Sequence, residues 1–230
     1  MMRGIRGRIG IIHLWSAMMD HEFWEMAPEG VSIFCTRLRG HPPTIEGIKN
    51  AAMDLADCKL HSILYGCTSG SFGPGPAWND LLIKTMQETL GIPATTNSQA
   101  AVEALKTLRS EKIAVSTPYD EEYNQKLKSF LEAKGFTVVN MKRTQEHLSD
   151  FGKFLLSPEQ VYTQAKEAFV PEADALFISC AGWRTLPIIE TLENDIGAPV
   201  VSSVQAVMWH ALRLAGINEK MEGRGKLLRI

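Results

Sequence analysis

GIPATTNSQAAVEAL, Gly91 to Leu105, has a counterpart in GAPVVSSVQAVMWHAL, Gly197 to Leu212, which begins 106 residues later. In each, a glycine closes a helical pattern, a short apolar run reads as a strand, and hydroxyl residues introduce a second amphipathic stretch. Working outward, ILYGCTS, Ile63 to Ser69, resembles LFISCAG, Leu176 to Gly182, and their cysteines Cys67 and Cys180 stand 113 residues apart. Two matched pairs at nearly one offset mark an internal duplication.

The rest of the chain fits two α/β units. Short apolar runs alternate with longer amphipathic segments, the pattern of a parallel sheet with crossover helices. The runs predict strands over Arg8–Leu14, Val31–Thr36, His61–Cys67, Ile92–Thr96, Lys112–Thr117, Phe136–Met141, Ala173–Cys180 and Pro199–Ser202. Helices are expected over Thr44–Asp57, Pro76–Leu90, Ser98–Leu108, Asp120–Ala133, Pro158–Phe169, Thr185–Asn194 and Ser203–Leu214. Asn97-Ser98 and Ser157-Pro158 are start signals, and Gly91, Gly135, Gly197 and Gly216 sit where left-handed caps end helices. In open parallel sheets ligands bind beyond the carboxyl ends of the strands. Cys67 and Cys180 fall at that end in both halves, so lobes that face each other would place both thiols on one cleft.

Composition excludes other classes. Hydrophobic residues make up 45% and charged ones 22% of the 230 residues, with a formal net charge of −2. That balance argues against a nucleic-acid or membrane surface. No apolar run approaches the roughly 20 residues of a spanning helix. The start MMRGIRGRIGIIHLW is too short in its apolar part for a signal peptide, and Trp15 to Glu22 offers no cleavage site. It reads as a first strand and the protein as cytoplasmic. Cys35, Cys58, Cys67 and Cys180 form no CxxC pair. Cys58 and His61 have CxxH spacing but no second ligand pair, so no metal is expected.

The chemistry-bearing residues cluster after the two matched strands. A proton α to a carboxylate, or a carbanion left by departing carbon dioxide, leaves negative charge on carboxylate oxygens, and preorganised donors stabilise it. Thr68, Ser69 and Ser71 supply hydroxyls, Thr117 and Tyr119 supply more, and Ala181 and Gly182 supply backbone amides. Gly70 and Gly182 let the backbone approach closely. Cys67, in the more donor-rich loop, is assigned the thiolate and Cys180 the S–H. Cys35 and Cys58 read as structural, and His13 and His210 as ordinary partly buried histidines. HEFWEMAPEG, His21 to Gly30, reads as a mobile loop near the cleft.

CTSGSF from Cys67, STPYDEEYN from Ser116, SCAGWRT from Ser179 and GAPVVSSVQAVMWHALRLAG from Gly197 together resemble the aspartate/glutamate racemase superfamily. The resemblance is to its branch of maleate isomerases and arylmalonate decarboxylases. It implies two pseudo-symmetric flavodoxin-like lobes with parallel four-stranded sheets, divided as 1–97 plus 203–230 and 98–202, with an interlobe cleft. It implies catalysis without metal or organic cofactor on a small mono- or dicarboxylic acid, and homo-oligomers are common among such proteins. By resemblance to maleate isomerases Cys67 is the nucleophile and Cys180 the opposing thiol, with Tyr119 catalytic or carboxylate-positioning. Arylmalonate decarboxylases keep the cysteine matching Cys180 as proton donor and carry glycine at the position of Cys67. Maleate isomerases carry an asparagine near the end of the first strand, where HLWSAMMD places Ala17, and the Asp-Ser motif of glutamate racemases is absent. The resemblance thus implies a cofactor-independent isomerase or racemase of a small carboxylic acid that uses two opposed cysteines, with an arylmalonate-type decarboxylase relying on Cys180 as proton donor and a non-catalytic carboxylate-binding protein as the alternatives.

Overall fold

A computed structural model describes residues 5–14, 20–144 and 148–230; Trp15, Ser16 and Ala17 lie outside the described residues. The fold is α/β, with two four-stranded parallel sheets. In the first, β1 (Gly7–Leu14) lies between β2 (Val31–Leu38) and β3 (Ser62–Gly66), and β4 (Ala94–Thr96) adds to β3. In the second, β5 (Lys112–Thr117) lies between β6 (Thr137–Arg143) and β7 (Ala175–Ile178), and β8 (Val200–Ser202) adds to β7. The orders β2-β1-β3-β4 and β6-β5-β7-β8 are the same topology twice, as the duplicated motifs require. Every residue of β3 and of β7 is buried, because helices cover both faces of such sheets.

The helices are α1 (Asp20–Glu25), α2 (Ile45–Met53), α3 (Thr68–Phe72), α4 (Pro76–Leu90) and α5 (Asn97–Thr107) in the first half of the chain. They continue with α6 (Glu121–Ala133), α7 (Asp150–Phe154), α8 (Pro158–Ala168), α9 (Ile189–Ile196) and α10 (Ser203–Leu214). The repeated motif builds the same joint twice. Gly91 and Gly197 end α4 and α9 at φ of 68° and 71°, a conformation that costs glycine little. Thr96 and Ser202 then cap α5 and α10, accepting from the amides of Gln99 and Gln205.

The two halves are not separate. α10 leaves β8 and packs on β1, β3 and β4 of the first sheet and along α5, with Ser62 Oγ donating to Ala211 O at 2.8 Å. α5 itself touches both β4 and β8. One apolar cluster therefore runs from Ile9 and Leu64 through Val102 to Val115, Phe177 and Val201. The C-terminal segment docks on it through the buried Leu227 and Leu228. Among the described residues no helix is long and apolar enough to cross a membrane.

Local differences from the sequence expectations have physical causes. α9 begins at Ile189 rather than Thr185, because Leu186 precedes Pro187 and helical backbone is disfavoured there. The amides of Thr185 and Leu186 instead bond Glu22 Oε1, at 2.7 and 3.1 Å. HEFWEMAPEG is not a free loop: it starts in α1, with Phe23, Met26 and Glu22 buried. The expected helix from Thr44 stops at Met53, and a separate 3-10 turn covers Ala56–Cys58. TSGSF after Cys67, expected as loop, is the short helix α3.

Candidate active site

β3 ends at Gly66, and Cys67 takes extended backbone (φ −141°) at the position that caps α3. Ser71 N closes the turn on Cys67 O at 3.2 Å. In the second sheet β7 ends at Ile178, Ser179 N still bonds Ser116 O at 2.9 Å, and Cys180 follows. The chain ends of corresponding strands thus carry the two thiols, and both are buried at 6% exposure.

Both thiols open onto one cavity. It is lined by Leu14, Gly66, Cys67, Thr68 and Ser69 from the first sheet's side, and by Tyr119, Lys153, Phe154, Cys180, Ala181 and Gly182 from the second. Seven of the residues singled out in the sequence are on its wall: Cys67, Thr68, Ser69, Tyr119, Cys180, Ala181 and Gly182.

Ser71 and Thr117 are not on the wall. Ser71 Oγ donates to Thr68 O at 2.8 Å and lies 2.7 Å from Ser98 Oγ, tying α3 to α5. Thr117 Oγ1 donates to Asn124 Oδ1 at 2.6 Å, and Asn124 Nδ2 in turn donates to Tyr119 O at 3.3 Å. Both hydroxyls help to hold the loops that present their neighbours. Cys35 is exposed and Cys58 partly exposed, away from the cavity. His210 Nδ1 pairs with Thr95 Oγ1 at 2.9 Å, and His13 is buried against Phe23.

The electrostatics separate the wall into roles. Burial pushes the Cys180 thiol up to about 12, although the Gly182 amide donates to its sulfur at 3.3 Å and the Lys153 charge also favours the thiolate. Cys180 therefore holds its proton at neutral pH. Burial likewise raises the Tyr119 hydroxyl well above its ordinary value, with Cys180 and Cys67 adding to the rise and the neighbouring Ser179 and Thr68 hydroxyls opposing it. Tyr119 is thus an O–H donor. Thr68 Oγ1 is buried on the cavity wall beside the Tyr119 hydroxyl. Ser69 Oγ lies 3.9 Å from the Cys67 sulfur and 2.8 Å from His41 Nε2.

Sequence reasoning missed His41, Lys153 and Phe154. His41 sits in a connection far from any motif, and Lys153 and Phe154 belong to α7, a five-residue helix with too little periodicity to read. The Phe154 ring packs on the bare Cα of Gly182, in the space a side chain would take. Among the described residues no group of His, Cys, Asp and Glu is arranged to hold a metal ion.

Comparison with known proteins places this geometry. Residues 16–228 match the family model described as arylmalonate decarboxylase. The chain is 31% identical over 211 residues to a maleate isomerase of Nocardia farcinica, covering 86% of this chain and 84% of that protein. It is 31% identical over 205 residues to an arylmalonate decarboxylase of Bordetella bronchiseptica, covering 86% and 83%. Its fold superposes at a TM-score of 0.87, with 26% identity, on a cysteine-to-serine variant of Nocardia farcinica maleate cis-trans isomerase carrying a covalently bound succinylcysteine intermediate; 97% of this chain and 98% of that one are covered. The chain is accordingly a member of the arylmalonate decarboxylase family, in the maleate isomerase and arylmalonate decarboxylase branch of the aspartate/glutamate racemase superfamily.

Proposed function

We propose that this protein is a cofactor-independent isomerase of a small unsaturated carboxylic acid, of the maleate cis-trans isomerase kind, working through two opposed cysteines. The observation that carries the reading is the pair of buried thiols, one from each sheet, on the wall of a single cavity. A decarboxylase needs only a proton donor, and a binding protein needs neither thiol. In this reading the lobes divide as 1–97 plus 203–230 and 98–202, and the cavity lies between them.

The proposed steps start from a Cys67 thiolate facing a protonated Cys180. The Cys67 thiolate adds to one alkene carbon, forming a C–S bond and moving the π electrons toward the adjacent carboxylate. Hydroxyls of Thr68, Ser69 and Tyr119 and the amides of Ala181 and Gly182 hold that accumulating charge. Cys180 gives its proton to the carbanion, leaving a thioether with a freely rotating C–C single bond. After rotation the Cys180 thiolate removes the proton, the C–S bond breaks, and Cys67 leaves as thiolate with the trans product. Every group ends as it began. Because Cys180 is costly to ionise, its thiolate is a strong base for the return step.

A decarboxylase of malonate-type acids is the second reading, favoured by the protonated Cys180 and the family match. A panel of small acids in deuterated water, followed by proton NMR, tests both. Conversion of a cis-enedioate to its trans isomer supports the first. Carbon dioxide release that survives Cys67→Gly supports the second and removes the first. An α-proton that washes out with neither change would point to a racemase using the same thiols.

A further inference from the structure

Beside Cys67 lies a group that the steps above leave unused. Tyr65 is on β3, two residues before the cysteine, so both side chains leave the strand on the same side. It is fully buried and shares an apolar cluster with Cys67, yet it does not line the cavity. Its hydroxyl is buried with no oxygen or nitrogen partner among the described residues. A buried hydroxyl left so costs stability, and a phenylalanine would fill the space without that cost.

What lies beside the hydroxyl is the thiol. A methyl group placed on Gly70 would stand 2.5 Å from Tyr65 Oη and 3.1 Å from Cys67 Sγ, so both atoms converge on the same bare Cα. Gly70 is itself pinned there, its carbonyl accepting from Trp78 Nε1 at 3.1 Å. The bare glycine leaves that space open between hydroxyl and sulfur.

The geometry points to Tyr65 as a positioning residue that donates its O–H to the Cys67 sulfur when that sulfur is a thiolate, holding the nucleophile ionised and aimed into the cavity. The idea rests on the proposed role of Cys67 as nucleophile. Burial, and then the adjacent Cys67 sulfur, raise the Tyr65 hydroxyl well above its ordinary value, so it remains a donor wherever the enzyme works. Hydrogen bonds to charged groups are stronger than neutral ones, and a thiolate satisfies the hydroxyl that a neutral thiol satisfies poorly. The hydroxyl's cost is therefore recovered only in the ionised state of the site.

Other titratable groups around the sulfur are Tyr119, Cys180 and Lys153 across the cavity, His41 through Ser69, Tyr123 beyond Gly73, and His13 beside Gly66. None changes in the test. Wild type and Tyr65→Phe are alkylated with iodoacetamide over a pH series, and the Cys67 peptide is quantified by mass spectrometry. The midpoint should rise by about one to two pH units in Tyr65→Phe, with thermal stability unchanged or higher only at pH below the wild-type midpoint, where no thiolate pairs with the hydroxyl. Gly70→Ala, which wedges a methyl between the two groups, should move the midpoint the same way with the hydroxyl retained. A Cys67 that titrates at the same midpoint in wild type and Tyr65→Phe overturns the assignment while leaving the nucleophile in place. A wild-type Cys67 that resists alkylation while Cys180 reacts overturns both.

Discussion

The amide of Gly182 donates to the Cys180 sulfur at 3.3 Å, yet burial outweighs that bond and keeps the thiol protonated, pushed up to about 12. At pH 8 such a thiol is ionised on the order of 10³ times less often than an unperturbed one. Iodoacetamide at that pH should label Cys67 and the exposed Cys35 while sparing Cys180, as read by peptide mass spectrometry. Equal labelling of Cys67 and Cys180 would show that their protonation states do not differ.

Gly182 also carries the Phe154 ring on its bare Cα. Gly182→Ala should push the ring and α7 outward, which enlarges the mouth and shifts the donors facing the substrate. A displacement of that kind costs roughly 10²-fold in kcat/KM. Phe154 is only partly buried and can yield, so the melting temperature should change little. A large loss of stability with kinetics intact would contradict this.

Much of this arrangement is legible in the residues. The matched pairs around Gly91 and Gly197 and around Cys67 and Cys180 announce the duplication, and the glycine and hydroxyl caps sit where the motif puts them. The segments that close the cavity are not legible. α3 contains glycine and small hydroxyl residues with poor intrinsic helicity, and it forms because Phe72 is buried against Tyr119 and Tyr123. Ser71 and Thr117 look like substrate donors by type, but only three-dimensional packing reveals that Ser98 and Asn124 already engage them. Lys153 enters the site from a turn of helix too short to carry a pattern.

Lys153 brings a positive charge to the cavity wall near Cys180. If the substrate carries a second carboxylate, Lys153→Gln should raise its KM by roughly tenfold or more, the size of a lost charge-assisted bond. A substrate with one carboxylate should be affected much less. Steady-state kinetics on a diacid and its monoester separate the cases, and equal effects on both would argue against charge recognition.

Glu22 ties α1 to the loop after Cys180, accepting from the amides of Thr185 and Leu186. Glu22→Ala leaves both amides unpaired and should cost about 2–4 kcal/mol, measured by denaturant unfolding. Burial raises this carboxyl's pKa despite the bonds from Leu186 and Thr185 that lower it. The folded state thus holds the proton more tightly than the unfolded one. Its stabilisation is full below about pH 4.5 and declines as pH rises through the raised value. The stability of wild type relative to Glu22→Gln should therefore fall as pH rises above about 4.5. A difference that grows over that range would reverse the assignment.

The central claim is that Cys67 forms a covalent bond to substrate while Cys180 handles the proton. Incubating Cys180→Ser with maleate and mapping the protein by mass spectrometry tests it most directly. The account predicts an added mass equal to one substrate on the Cys67 peptide, absent from Cys67→Ala. Turnover of maleate by Cys67→Ala at the wild-type rate, with no adduct in any variant, would contradict it.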